Sequence, residues 1–165
     1  MSDYTTRPVE LRDAEAIRSI YNAEVLGSTV TFDMVERTTD EQLAWFSAHS
    51  GSYPAIVAVD GSDIVAGFAS LTAYRPRPAY ATTVENSVYV HHEHRGQGVA
   101  RLLMTDLLAL AGEHGFHSVI ARIVGDHDAS IRLHAGCGFE QIGREVEVGR
   151  KFGRWLDVVL MQKML

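Results

Sequence analysis

The residues best suited to chemistry lie in one stretch, Thr83 to Ala100. Its second half reads Arg95-Gly96-Gln97-Gly98-Val99-Ala100. Two glycines let a backbone approach a ligand closely. A helix start just after them leaves N–H groups unpaired and pointing outward, which suits a pyrophosphate. The pattern is not a phosphate loop of the Gly-Lys-Ser/Thr kind. Nor is it the dinucleotide Gly-x-Gly-x-x-Gly, because Arg101 holds the third glycine's place. By itself it could equally be a plain turn from strand to helix. Upstream, Glu85 stands in an otherwise neutral run, Thr83-Val84-Glu85-Asn86-Ser87-Val88-Tyr89-Val90. A carboxylate is costly to bury unpaired, so Glu85 is either a solvent-facing acid or a base held for a purpose. Arg75 and Arg77 alternate with Pro76 and Pro78; two guanidinium groups on a stiffened segment can grip a carboxylate or phosphinate in a fork, or belong to a solvated loop.

Positioning these groups requires a strand followed by a helix. Val84, Val88 and Val90 alternate with Glu85, Ser87 and Tyr89, which places Glu85 on one face with Ser87 and Tyr89. Val99, Leu102, Leu103, Leu107 and Leu110 then recur at helical spacing, and the helix closes near Gly115. Around this pair we expect a first strand over Tyr4 to Val9 and a helix capped by Asp13 and ended by Gly27. An extended connection runs from Ser28 to Phe32, and a second helix is opened by a capping box of Thr39 and Gln42. Strands follow over Pro54 to Val59 and Ile64 to Leu71, joined by a hairpin turn at Asp60-Gly61-Ser62-Asp63. Beyond the central helix come a strand from His117 to Ile123, a short helix from Ala129 to Cys137 stopped by Gly138, and two closing strands, Gln141 to Val148 and Asp157 to Lys163, flanking Lys151 to Trp155. The pattern is α+β: a central mixed, mostly antiparallel sheet of about six to seven strands, flanked by about four helices.

Composition narrows the function. The 165 residues, 46% apolar and 22% charged, suit a single domain over 1–165. A net charge of −6 without a lysine cluster argues against nucleic acid as partner. No apolar run is long enough to span a membrane and no leader is evident, so a soluble, cytoplasmic protein is expected. Cys137, the only cysteine, fits a reducing compartment, and with no basic neighbour it reads as a structural thiol rather than a nucleophile. His91, His92 and His94 cluster in a loop but lack Cys or carboxylate partners at ligand spacing, so no metal site is expected.

The Arg-x-x-Gly-x-Ala loop resembles the coenzyme A pyrophosphate loop of the GCN5-related N-acetyltransferases. Five segments extend that resemblance over nearly the whole chain: Ser28 to Phe32, Arg75 to Tyr80, Thr83 to Val90, Ala129 to His134 and Lys151 to Asp157. In that order they look like the phosphinothricin (methionine sulfoximine) acetyltransferase branch.

Acetyl transfer from a thioester to an amine needs a base for the amine, donors for the oxyanion and a proton for the leaving thiolate. The resemblance implies acetyl-CoA as donor, a small anionic amino acid analogue as acceptor, and a homodimer with the site near its interface. It assigns the base to Glu85, and acceptor contacts to Phe32, Arg75, Pro76, Arg77, Tyr80, Glu85, Asn86 and Ser87. Coenzyme contacts fall to Val88, Tyr89, Val90, Arg95, Gly96, Gln97, Gly98, Val99, Ala100, Arg101 and His127. The oxyanion donor should be backbone, the N–H of Val90 if the strand splays. His134 occupies the place where many of these enzymes carry a tyrosine; it either protonates the thiolate or is an inert helix residue. Trp155 and Phe152 should pack in the core or between subunits. His127 departs from the branch, which has Asn there; flanking Asp126 and Asp128 should raise its pKa and make coenzyme binding depend on pH near neutrality. Two other readings remain: an acetyltransferase for another amine or a peptide N-terminus, and a coenzyme A-binding regulatory module without catalysis, against which Glu85 argues.

Overall fold

The central stretch forms the elements expected of it. In the computed structural model, which describes residues 4–165, β4 spans Thr83–Val90 and α3 spans Val99–Glu113. The remaining elements, in chain order, are β1 (Thr5–Pro8), α1 (Ala14–Gly27), α2 (Thr39–Ala48), β2 (Ala55–Val59), β3 (Val65–Ala73), β5 (Ser118–Val124), α4 (Asp128–Gly136), β6 (Glu140–Lys151) and β7 (Arg154–Met164). All seven strands join one sheet in the order β1-β2-β3-β4-β5-β7-β6. Every neighbouring pair is antiparallel except β4 and β5. That exception follows from α3: parallel strands need a crossover, and the helix supplies it.

The sheet buries both faces. Val84 of β4 packs with Val99, Leu103, Met104 and Leu107 of α3 and with Val119 and Ala121 of β5. On the opposite face Ile17, Ile20, Tyr21 and Val25 of α1 cover Val57, Val59 and Phe68. Alternation along β4 therefore sends Val84, Asn86 and Val88 toward α3 and leaves Glu85, Ser87 and Tyr89 on the α1 and α2 side.

Three local expectations shift. The capping box of α2 is Thr38 with Glu41, one residue earlier than expected: Glu41 N donates to Thr38 Oγ1 (3.2 Å) and Thr38 N to Glu41 Oε2 (2.7 Å). Gln42 is instead buried and accepts from Arg37 Nη1 at 2.8 Å. Asp13 does not cap α1 with its side chain; its carboxylate accepts from Glu10 N and from Arg7 in the short 3₁₀ turn before the helix. The closing strands are longer than expected, so Lys151 and Trp155 lie in β6 and β7, and only Phe152 and Gly153 turn the hairpin. Both turn residues have positive φ (50° and 73°), the conformation a tight two-residue hairpin demands. Phe152 and Trp155 are exposed rather than packed in the core.

Candidate active site

β4 and β5 part company halfway along. Their parallel pairing covers only Thr83–Glu85 against Ser118–Ile120, although β4 runs on to Val90 and β5 to Val124. Beyond that point the two strands wall a cavity of about 720 Å³, lined also by α4 and the start of α3. Its rim reaches Ser28, Val30, Thr31 and Phe32 of the α1–α2 connection. His91 N donates to Ala66 O of β3 at 2.8 Å. Successive N–H groups of a strand point to opposite edges, so the Val90 N–H faces β5, where pairing has ended.

The glycine loop stands at the mouth. Gly96 and Gly98 take φ of 73° and 85°, and a Cβ at either would meet no protein atom within 4 Å. Glycine is thus required for the left-handed backbone, and the space above it is left open. The first i−4 bond of α3 runs from Leu102 N to Gly98 O at 3.0 Å. The N–H groups of Val99, Ala100 and Arg101 therefore have no acceptor within the helix, and the positive end of its dipole lies behind them. A pyrophosphate fits this cradle. Arg95 leans from the same loop onto the nearly buried Glu24 of α1, and Arg101 Nη2 donates to Gly136 O at the end of α4 (3.2 Å). Both arginines brace the mouth as well as line it.

Glu85 faces the cavity from β4. Among the described residues its carboxylate has no hydrogen-bond or ion-pair partner, because Arg122 across the way is bound to Glu145 at 2.7 Å. Burial pushes its pKa up; Arg122 pulls it down and Glu145 adds to the rise. A desolvated carboxylate with a raised pKa is a better base than an exposed one.

His134 is 2% exposed. Its Nδ1 lies 2.8 Å from Ser130 O, which can only accept, so Nδ1 carries the proton. Its Nε2 lies 3.0 Å from Asn86 Nδ2 and so receives the amide hydrogen. Burial lowers its pKa, and the bond to Ser130 offsets only part of that. The ring is neutral and both nitrogens are engaged, which favours the inert reading over proton donation.

His127 lines the cavity just before α4. Burial lowers its pKa; Glu24 opposes this most, ahead of Asp126, while Arg95 adds to the fall. The expected rise from Asp126 and Asp128 is therefore corrected: desolvation outweighs the flanking carboxylates.

Not every expected residue converges. Phe32, Glu85, Asn86, Ser87, Val88, Tyr89, Val90, Arg95, Gly96, Gly98, Val99, Ala100, Arg101, His127 and His134 all line the cavity. Gln97 faces away from the lining, accepting from Tyr4 Oη (3.0 Å) and donating to Glu93 O (3.0 Å). Arg75, Pro76, Arg77 and Tyr80 lie outside it, in the β3–β4 connection, with the Arg75 guanidinium 4.8 Å from the ring centre of Tyr74 and 5.5 Å from that of Tyr80. The histidine loop is tied up internally: His94 Nδ1 lies 2.8 Å from Tyr4 Oη, and Glu93 N donates to His91 Nδ1.

Lys151, read only as part of a family segment, proves to support the rim. It is 2% exposed, and its ammonium donates to Thr31 O and Asp33 O, each at 2.9 Å. Phe32, between those carbonyls, lies so close over Gly149 of β6 that a Cβ there would overlap its ring. Nothing in sequence spacing signals a contact made across more than a hundred residues.

The chain is similar to known acetyltransferases. The profile of the acetyltransferase (GNAT) family matches residues 15–139. The L-methionine sulfoximine/L-methionine sulfone acetyltransferase of Salmonella typhimurium is 39% identical over 98% of this chain and 94% of its own. The phosphinothricin N-acetyltransferase of Streptomyces coelicolor is 36% identical over 99% and 98%. Among solved structures, a phosphinothricin acetyltransferase from Sinorhizobium meliloti in complex with acetyl-CoA superposes with a TM-score of 0.96, at 37% identity, covering 100% of this chain and 89% of that one.

Proposed function

The chain belongs to the acetyltransferase (GNAT) family, and we propose that it transfers the acetyl group of acetyl-CoA directly to the α-amine of a small anionic amino acid analogue such as phosphinothricin, methionine sulfoximine or methionine sulfone. The observation that carries this reading is the unpaired, half-buried Glu85 beside the wedge where β4 and β5 separate. The relatives' names support the acceptor class.

The chain's own residues divide the work. The N–H groups at the start of α3 hold the pyrophosphate, and the open edge of β4 takes the pantetheine arm of the donor in the place of β5. Glu85 accepts the proton of the acceptor's ammonium, directly or through a water. The freed amine then attacks the thioester carbonyl, a C–N bond forms, and the C–S bond breaks to release the thiolate. The Val90 N–H is aimed into the wedge, where the carbonyl oxygen gathers charge. Neither nitrogen of His134 is free to protonate the thiolate; the second proton that the attacking nitrogen sheds as the amide forms balances it.

A homodimer working in the cytoplasm belongs to the same proposal. Trp155 and Phe152, 60% and 57% exposed in the single chain, support an interface around the β6–β7 hairpin. Arg75 and Arg77 lie outside their own subunit's cavity, so they contribute to acceptor recognition only through such a partner. The lone Cys137 fits a reducing compartment.

The test is thiol release from acetyl-CoA with and without each of the three analogues. Release that depends on an amino acid acceptor, with the N-acetylated product seen by mass spectrometry, is the expected result. Tight acetyl-CoA binding without release for any amine would leave only the coenzyme-binding module.

A further inference from the structure

Arg122 faces two carboxylates and is bonded to one of them. Strand register puts all three side chains on the same face of the sheet. Glu85 pairs with Ile120 at the last step of the β4–β5 ladder, and Arg122 lies two residues further along β5. Side chains two residues apart share a face. In a regular sheet the Cα atoms of Glu85 and Arg122 would be about 8 Å apart, a gap that the two long side chains can close between them. The same face continues through Val124 and Val158 to Glu145, which β7 and β6 hold in register. Arg122, Val124 and Val158 line the large cavity together with Glu85.

Arg122 Nη2 donates to Glu145 Oε2 at 2.7 Å. The two side chains are 36% and 33% exposed, too wet for this bond to add much to stability. The backbone around Glu145 is nonetheless fastened. A break in register follows it in β6, and Asp157 of β7 accepts from Arg144 Nε and from Glu147 N, each at 2.7 Å. Glu145 is thus held where it can keep hold of Arg122. Burial does most to raise the Glu85 pKa; among the described residues the charges acting on it are Arg122, which lowers it, and Glu145, which raises it. From β3 only the neutral Thr72 pairs with it.

We propose that Glu145 is a positioning residue for acetyl transfer: it holds Arg122 away from Glu85 and so keeps the base unpaired for the acceptor's ammonium. The assignment rests on the acetyl-transfer reading above. A guanidinium released onto Glu85 would occupy its oxygens and stabilise the charged carboxylate, making it a poorer base. It would also leave an uncovered cation where the ammonium has to dock.

The test is a cycle of Glu145→Gln, Arg122→Gln and the double variant, with Glu145→Asp as the conservative change. The pH profile of kcat/KM for L-methionine sulfone is measured alongside the titration of Glu85 itself. That titration is followed without acceptor by its carboxyl carbon resonance, identified by its loss in Glu85→Gln. Glu145→Gln is expected to move the Glu85 midpoint and the acid limb of the profile together toward lower pH. It should also cut kcat/KM at pH 7 roughly tenfold, part of what a disabled base costs. Glu145→Asp keeps the charge and should lose less. Arg122→Gln alone should move the midpoint up, and the double variant should recover kcat/KM to within about threefold of the parent, because nothing is left to capture the base. Acetyl-CoA affinity reports on folding. If Glu145→Gln loses it, Arg122→Gln decides, and a midpoint that fails to rise there overturns the proposal. An unmoved midpoint in a folded Glu145→Gln overturns it too, as does a double variant no better than Glu145→Gln, which would mark the pair as structural. A parent that acetylates no amine refutes the enzymatic reading, and the Glu85 midpoint then still decides whether Glu145 keeps Arg122 off the carboxylate.

Discussion

Asn86 Nδ2 lies 3.0 Å from His134 Nε2, a buried bond that ties the central strand to α4 across the wedge. Asn86 also approaches Met104 Sδ of α3 at 3.4 Å, while its Oδ1 remains buried without a partner. Because the ring nitrogen accepts the amide hydrogen and the other holds Ser130 O, the pair is a brace with no titrating proton at neutral pH.

His134→Leu should therefore cost stability more than chemistry. Leaving the Asn86 amide unpaired costs about 1–3 kcal/mol, and each kcal/mol is worth roughly 2–4 °C in Tm for a chain of this size. The alkaline limb of the kcat profile should keep its position. A limb that vanishes in the variant would restore His134 as the acid.

Glu85→Gln should lower kcat by about a hundredfold or more, the scale of a lost general base, with acetyl-CoA affinity unchanged. Stability should move the other way. Burial raises the folded pKa above the unfolded one, so the acid's contribution is full below its unfolded value of about 4.3 and is lost as pH rises through the folded value. The glutamine removes that penalty. Its Tm should exceed the parent's at pH 8, with the gain shrinking toward pH 4. Near-parental activity, or no gain at pH 8, would contradict a desolvated base.

Local chemistry made much of this legible in advance. Alternation along β4 put Glu85, Ser87 and Tyr89 on one face, and the glycines marked the start of α3, because both patterns report on neighbouring residues. Long-range burial was not legible. The sign of the His127 shift depends on how deeply α4 covers it, not on Asp126 and Asp128 beside it. Arg75 and Arg77 lie outside the cavity of their own chain, and a stiff basic pair does not say which cavity, or whose, it serves.

Gly98→Ala should weaken acetyl-CoA binding at least tenfold. The added Cβ enters the open space over the cradle, and the residue must keep a φ of 85°. Backbone strain alone is about 1–2 kcal/mol, so a control is needed. Gly115, at φ 79° beyond the end of α3, is equally left-handed, has equal room, and lies away from the cavity. Gly115→Ala should lower Tm similarly while acetyl-CoA affinity stays put. Equal loss of affinity in both would mean that strain, not contact, is being measured.

His127 offers the last test. Burial depresses its pKa, so the ring is neutral at pH 7 and stays neutral some way below the ordinary value of about 6.5. A histidine with a depressed folded pKa contributes stability that is present above its unfolded value and lost as pH falls through the folded one. Acetyl-CoA affinity should consequently be flat from about pH 6.5 to 8, and change only below that range as the ring charges beside Arg95. His127→Asn keeps a donor and an acceptor without a titrating group. It should preserve affinity at pH 7.5 within about threefold, remove the change at low pH, and unfold less readily than the parent in mild acid. A midpoint in the parent above the ordinary histidine value would show that Glu24, Asp126 and Asp128 outweigh burial after all. An identical low-pH change in His127→Asn would place the titrating group elsewhere on the cavity wall.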